Sequence, residues 1–271
     1  MSTPTIWEQE LISVDLETTG LRATRGDRVI EVAVARGRRG ERPRSWSTLL
    51  NPGKNIRTTG IHGITEADLE GQPTFLEILP LLDDWLAEGI LVAHHASVDL
   101  SFLVAEYRRV GRRFSAPPTL DTLGLARSIP ELPGRSLSSL SSNYGLPVQP
   151  NHRAEADALA TWYLSWTLLE QLDPAKSLSI TEALELGQRG YSQERQQTLL
   201  QLRQAFSEDR PLWVEYQGVE ERSRRRIRLR RVGSKEVIAW CELRQEERHF
   251  RVDRIRILPL DAVPPEKTGE P

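Results

Sequence analysis

Hydrophobic and polar positions alternate cleanly through LISVDLET, where Ile12, Val14 and Leu16 fall on one side of an extended chain and Ser13, Asp15 and Glu17 on the other. Two carboxylates therefore share one strand face. The next apolar run, RVIEVAVAR, is rich in β-branched residues and reads as a buried strand, and SWSTLLNP reads as a third that ends at Asn51 and Pro52. An antiparallel meander fits the three. From Thr65 the spacing turns helical, with Phe75, Ile78, Leu79, Leu82 and Leu86 recurring at three and four residues until Gly89 stops the pattern. ILVAHH follows as a short central strand. VDLSFLVAEYRRVGRR then places Leu100, Leu103, Val104 and Tyr107 on one helical stripe, with Arg108 and Arg109 near its end, where cations suit the helix dipole. Two further helices follow, SLSSLSSNYG closed by Gly145 and HRAEADALATWYLSWTLLEQL closed near Pro174. Strands first, then strands alternating with helices, predict an α/β sandwich over residues 1–175.

Residues 176–210 are polar and helical in texture, with Leu184, Leu199, Leu200, Leu202 and Phe206 scattered through them, and read as a linker. Beyond Pro211 the pattern is all strand: LWVEYQG, RIRLRRVG, EVIAWCEL and HFRVDRIRIL, each short and bounded by turn residues. A small β-barrel over residues 211–260 is the natural closure. The tail, 261–271, holds too few apolar residues to order itself.

A chain of 271 residues with 38% hydrophobic residues buries a full core and exceeds one average domain, which agrees with a medium domain followed by a small one. No apolar window of membrane-spanning length exists, and MSTPTIWEQE has neither a basic nor an apolar leader segment, so the expected location is cytoplasmic, with no membrane partner. The lone cysteine, Cys241, forms no internal disulfide or cysteine zinc site and reads as core filler. The net charge of −2 conceals a split. Residues 211–271 carry 14 Lys and Arg against 11 Asp and Glu, leaving −5 on residues 1–210, and seven of those arginines lie between Arg222 and Arg231. Phosphate is a reasonable partner for that end.

Hydrolysis of a phosphodiester by two metal ions needs several carboxylates converging on one pocket, because Mg²⁺ prefers oxygen ligands and keeps water as a nucleophile. Asp15 and Glu17 offer two from one strand face. Asp99 opens a helix just beyond His94 and His95, and Asp157 opens another five residues past His152. Such edges of sheet elements are where sites usually sit. Taken singly, a D-x-E on a strand is mostly solvent-facing charge and a helix-opening Asp is usually a cap; the joint occurrence, in this order, is what carries weight.

VDLETTG, VAHHASVDLSFL and NHRAEADALAT together resemble the three exonuclease motifs of the DEDDh superfamily, the group that includes the proofreading subunit of bacterial replicative polymerase. TGIHGIT and LDTLGLAR are similar to that family's intervening segments, so the resemblance covers roughly residues 8–172. It implies an RNase H-like mixed sheet flanked by helices, and 3′→5′ exonuclease activity on DNA, with RNA possible and a polymerase or repair protein as a potential partner. Carried over by position, the family's ligands for two divalent cations, Mg²⁺ or Mn²⁺, are Asp15, Glu17, Asp99 and Asp157, and its general base is His152. An imidazole, with an ordinary pKa near ~6.5, accepts a proton at neutral pH. Thr18 and Thr19 fall where the family holds the terminal nucleotide, and His62 and His95 are further substrate-binding candidates, although these histidines and His94 suit loop shaping better than metal binding. His95 stands where the family commonly has Asn, and Val98 where it has an aromatic.

In SRRRIRLRRV the alternation puts Arg224, Arg226, Arg228 and Arg230 on one strand face and Ile227 and Leu229 on the other. That ladder either pairs with phosphates or is a solvated strand balanced by Glu220, Glu221, Glu242, Glu246 and Glu247. The closing segment AWCELRQEERHFRVDRIRIL resembles the end of WYL domains, small SH3-like barrels, although Lys235, Glu236 and Val237 occupy the place of the namesake tripeptide. By that resemblance Tyr216, Arg248 and Arg251 line a surface for an anionic ligand or single-stranded nucleic acid.

Overall fold

In the computed structural model, residues 4–54, 56, 59–129, 132–217, 222–233 and 236–258 are described, the side chains of 59, 61 and 189–196 excepted. The tail at 261–271, like Glu220, Glu221 and Lys235, lies outside them. The chain forms two compact units, Met1–Gly190 and Tyr191–Pro271. Among the described residues no helix is long and apolar enough to cross a membrane.

The first unit is built on strands β1 (Leu11–Thr18), β2 (Val29–Gly37), β3 (Arg44–Leu49), β4 (Ile90–Ala93) and β5 (Thr119–Asp121), ordered β3-β2-β1-β4-β5. The meander β1-β2-β3 is antiparallel, as the pattern predicts, while β4 and β5 join in parallel, giving the mixed sheet that the family resemblance implies. Around it lie α1 (Thr59–His62), α2 (Glu66–Leu69), α3 (Phe75–Leu86), α4 (Ser97–Arg109), α5 (Thr122–Arg127), α6 (Leu137–Asn143) and α7 (Ala154–Leu172). The period-two pattern of β1 sorts its side chains between two cores. Ile12 and Val14 pack with Leu82 of α3 and Phe102, Leu103 and Tyr107 of α4. Leu11 faces the other way, with Ala33 and Ala35 of β2 and Ala154, Ala158 and Trp162 of α7. The alanines matter, because small side chains on both surfaces let α7 lie close over the strands. Ser13, on that same face, sits 2.7 Å from the Ala158 carbonyl oxygen.

Three local expectations are corrected. β3 stops at Leu49, before Asn51 and Pro52. Val104 is 50% exposed, so the buried stripe of α4 runs through Phe102, Leu103 and Tyr107 and includes Glu106, which is fully buried beneath Arg28 and Arg109. The polar stretch after residue 176 contributes to the cores: α8 (Ile180–Ser207) packs Ala183 into the first unit and Leu202 and Ala205 into the second. Short apolar patches at the two ends of one long polar helix are too sparse to stand out as a stripe.

The second unit is a five-stranded antiparallel sheet, β6 (Leu212–Gln217), β7 (Arg222–Val232), β8 (Glu236–Cys241), β9 (Glu246–Arg251) and β10 (Ile255–Ile257), ordered β10-β6-β7-β8-β9. The single closing strand expected over 249–258 is instead two, broken by a 3₁₀ turn at Val252–Arg254 whose Val252 is buried. That turn returns the chain so that β10 pairs with β6. Leu212, Val214, Ile227, Leu229, Val237, Ala239, Cys241 and Phe250 form the core with Leu202 and Ala205, so Cys241 is the filler its isolation suggested.

Candidate active site

At the C-terminal end of β1, the face that begins with Leu11 and Ser13 ends with Asp15 and Glu17. The N-terminus of α7 lies over it, and one carboxylate oxygen each from Asp15, Glu17 and Asp157 lies within 4.8 Å of the others. Asp99, in the first turn of α4 and 7% exposed, is outside that triplet but accepts a hydrogen bond from the Leu16 backbone N–H, which ties its carboxyl to the same strand. Its charge is felt at both Asp15 and Glu17.

The electrostatics of this cluster are those of too many negative charges in too little water. Burial, reinforced by Asp99, Asp157, Glu17 and Glu31, raises Asp15 well above the usual carboxylate range. Glu17 is pushed up to about 8 by burial and then by Asp157, Glu31 and Asp99, with Arg153 opposing. Burial likewise raises Asp99 to about 8. Asp157 is raised by burial, with backbone hydrogen bonds from Asn151 and His152 and the His152 charge working against it. Hard oxygen donors whose ionisation is suppressed by burial and by one another suit a divalent cation, which would supply the missing counter-charge.

His152 lies in the short approach to α7, exposed, with a left-handed backbone at φ 60°. Two anchors flank it. On one side the Asn151 N–H donates to Asp157 Oδ1 at 2.9 Å. On the other, Arg153 donates to both oxygens of Glu31, at 2.7 Å and 3.1 Å, and Glu31 also accepts the Ala154 N–H at 3.0 Å, capping α7. Glu31 is 4% exposed and directly opposite Glu17 in the β1–β2 register. Sequence reading passed over both Glu31 and Arg153; the available signal was one carboxylate among the apolar residues Val29 to Ala35 of a buried strand.

Asp121 was also missed. Its carboxylate accepts from the His95 and Ala96 backbone N–H groups at 3.1 Å and 2.9 Å, and from Leu123 at 2.9 Å, so it joins the turn before Asp99 to the start of α5. His95 is exposed at φ 73° in that turn. His94 shapes the loop, lying 2.9 Å from both the Thr122 hydroxyl and the Arg135 carbonyl oxygen, and burial depresses it to about 4. His62 is buried, and its Nδ1 accepts the Ile64 N–H. Burial lowers its pKa, and the charge of His152 is felt there. Thr18 donates to the Gly20 carbonyl, and the buried Thr19 exchanges backbone and hydroxyl hydrogen bonds with Arg28. Both hydroxyls brace the turn after β1.

In the second unit the register separates the candidates. Arg224, Arg226 and Arg228 share the outer face of β7, whereas Arg230 falls at an irregularity between Leu229 and Arg231 and leaves the ladder. Tyr216 and Arg248 lie on the opposite, core-side face, the first packed edge-on against Phe250 and the second paired across from Ala239. Arg251 grips Asp253 through two nitrogens.

Comparison with known proteins gives a family model described as exonuclease over residues 12–165 and a WYL domain model over residues 197–259. A DNA polymerase III PolC-type protein of Oceanobacillus iheyensis is 35% identical over 170 residues, covering 62% of this chain and 12% of the relative. One from Listeria monocytogenes is 32% identical over 173 residues, covering 63% and 12%. The chain thus spans about an eighth of the length of these relatives. Among solved structures, E. coli Exonuclease I in complex with a dA16 oligonucleotide matches with a TM-score of 0.52 at 15% identity, covering 86% of this chain and 55% of that one. The nuclease domain of 3′hExo, a DEDDh family member bound to rAMP, matches at 0.50 and 14% identity, covering 62% and 94%.

Proposed function

With its residues 12–165 matching the exonuclease model, the chain belongs to the exonuclease family, and on that footing we propose that it removes nucleotides one at a time from DNA 3′ ends, releasing nucleoside 5′-monophosphates. The observation that carries this reading is the meeting of Asp15, Glu17 and Asp157 within 4.8 Å, with Asp99 hydrogen-bonded to the same strand. Asp15, Glu17, Asp99 and Asp157 would hold two divalent cations, Mg²⁺ or Mn²⁺, whose chemistry is to make water more acidic and to neutralise charge on the leaving 3′ oxygen. His152, exposed and placed by its two flanking anchors, takes the proton of the attacking water. Asp157 orients that loop as well as facing the cluster. The turn that carries Thr18 and Thr19, with His62 and His95, seats the terminal nucleotide. Since both hydroxyls already brace the turn, its backbone makes that contact.

DNA is preferred over RNA as substrate because the relatives matched at 32–35% identity are named as DNA polymerases. The same likeness suggests work beside a polymerase or a repair protein. The test is a panel of single-stranded DNA, duplex DNA, mismatched 3′ ends and RNA, incubated with Mg²⁺, Mn²⁺ or EDTA. Metal-dependent cleavage that favours DNA and is lost in Asp157→Ala supports the reading. Cleavage by Asp157→Ala equal to wild type removes the site assignment, preference for RNA makes the protein an RNA 3′-end trimmer, and no cleavage of any substrate leaves a nucleic-acid-binding regulator.

A further inference from the structure

The outer face of the second unit's sheet brings together side chains that sequence spacing keeps apart. Trp213 on β6 stands directly opposite Arg226 on β7, and Trp240 on β8 stands directly opposite Arg228. Residues directly opposite point to the same side of a sheet, and Arg226 and Arg228 are two apart, so the four share one surface. Leu212, Val214, Ile227, Leu229, Ala239 and Cys241 all face the core on the other side, which confirms the assignment of faces. Trp240 is 36% exposed and Trp213 is half-buried. A tryptophan on the side of a small sheet away from its core adds little to that core, and two of them flanking two guanidinium groups form a pattern with chemical meaning.

Strand spacing puts the two indoles about 12 Å apart on a diagonal across the arginine row, the span of roughly two nucleotides of an extended strand. Arg224 continues the row at one end. The arginines do have carboxylate neighbours: Arg226 lies 3.7 Å from Glu242, and Arg228 lies 2.9 Å from Asp209, with side-chain exposures of 35–42% for the arginines and 38–75% for the acids. Ion pairs so exposed are weak and exchange readily for a phosphate, which offers each guanidinium a bidentate acceptor. Basic groups tracking a backbone, with aromatic rings on which bases stack, are the physical requirements for holding single strands. A duplex keeps its bases stacked inside and cannot use the indoles.

We propose that this face, centred on Trp213, Arg226, Arg228 and Trp240, binds single-stranded nucleic acid; the inference rests on the exonuclease reading for its substrate class. It assigns the surface to the outer side of the sheet, away from Tyr216 and Arg248. The test is fluorescence anisotropy of a 5′-labelled oligothymidylate with the full chain in EDTA, where metal-dependent cleavage is stopped, titrated across NaCl concentrations. Trp213→Ala and Trp240→Ala should each weaken binding about tenfold. Arg226→Ala and Arg228→Ala should each flatten the salt dependence by about 0.7 in slope. Arg248→Ala should change little, and Trp240→Leu, which keeps apolar bulk without a stacking plane, should behave like Trp240→Ala. Wild-type affinity in both tryptophan variants, a dominant loss in Arg248→Ala, or duplex bound as tightly as single strand overturns the proposal. Variants that bind weakly yet keep Mn²⁺-dependent cleavage of a dinucleotide confirm that the surface is separate from the site. Normal oligothymidylate binding on this face with no cleavage at all would sink the exonuclease reading and spare this one.

Discussion

The carboxylates at the end of β1 illustrate how much one residue's environment decides. Glu17 and Asp99 hold their protons to about 8 in the fold, whereas in an unfolded chain they would lose them near ~4. The folded chain therefore binds more protons than the unfolded one between those values, and stability falls as pH rises through that window. EDTA-treated protein should melt at a higher temperature at pH 6 than at pH 9, and excess Mg²⁺ should abolish the difference; a flat profile in EDTA would show that burial and neighbouring charge do not hold these acids protonated. For the same reason Asp15→Asn should raise the melting temperature in EDTA at pH 8 by roughly 2–4 °C while abolishing activity. Glu31 acts through its neighbours. Replacing it by Gln weakens the bidentate grip on Arg153 that fixes one side of the His152 loop, so turnover should drop about 10–100-fold with Mn²⁺ affinity little changed, as read from steady-state kinetics beside calorimetric titration.

At the scale of elements, the sequence was legible wherever periodicity was strong. The alternation in β1 identified the face that carries Asp15 and Glu17, and the three- and four-residue spacing of Phe75, Ile78, Leu79, Leu82 and Leu86 identified α3, in which those five side chains are buried. What stayed hidden is tertiary. Glu31 reads as an anomaly in an apolar strand until α7 is seen to begin on it, and α8 reads as a linker until its ends are seen in two cores. Trp213 and Trp240 lie 27 positions apart, and only the β6-β7-β8 register makes them neighbours of one arginine row. One close approach was equally invisible: a Cβ on Gly124 of α5 would stand 1.8 Å from the Gly187 carbonyl oxygen of α8. Because the obstacle is backbone, Gly124→Ala should cost about 2 kcal/mol or more in urea unfolding. A cost below about 0.5 kcal/mol would mean the two helices do not meet as described.

For the molecule as a whole, the separation of charge and of cores points to a division of labour, with an acidic catalytic unit followed along the chain by a basic one. Each unit has its own buried cluster, so a ligand of one should leave the other's stability alone. Calorimetry should accordingly show two transitions, of which Mg²⁺ raises one. The central claim is that acidic side chains from β1, α4 and α7 make this chain a 3′→5′ exonuclease, and its most direct test is the product ladder from a 5′-labelled single-stranded DNA incubated with Mn²⁺. The account predicts products that shorten by one nucleotide at a time with release of nucleoside 5′-monophosphates, halted by EDTA, by Asp15→Asn and by a blocked 3′ end. Internal cuts, shortening from the 5′ end, or an undiminished ladder with Asp15→Asn would contradict it.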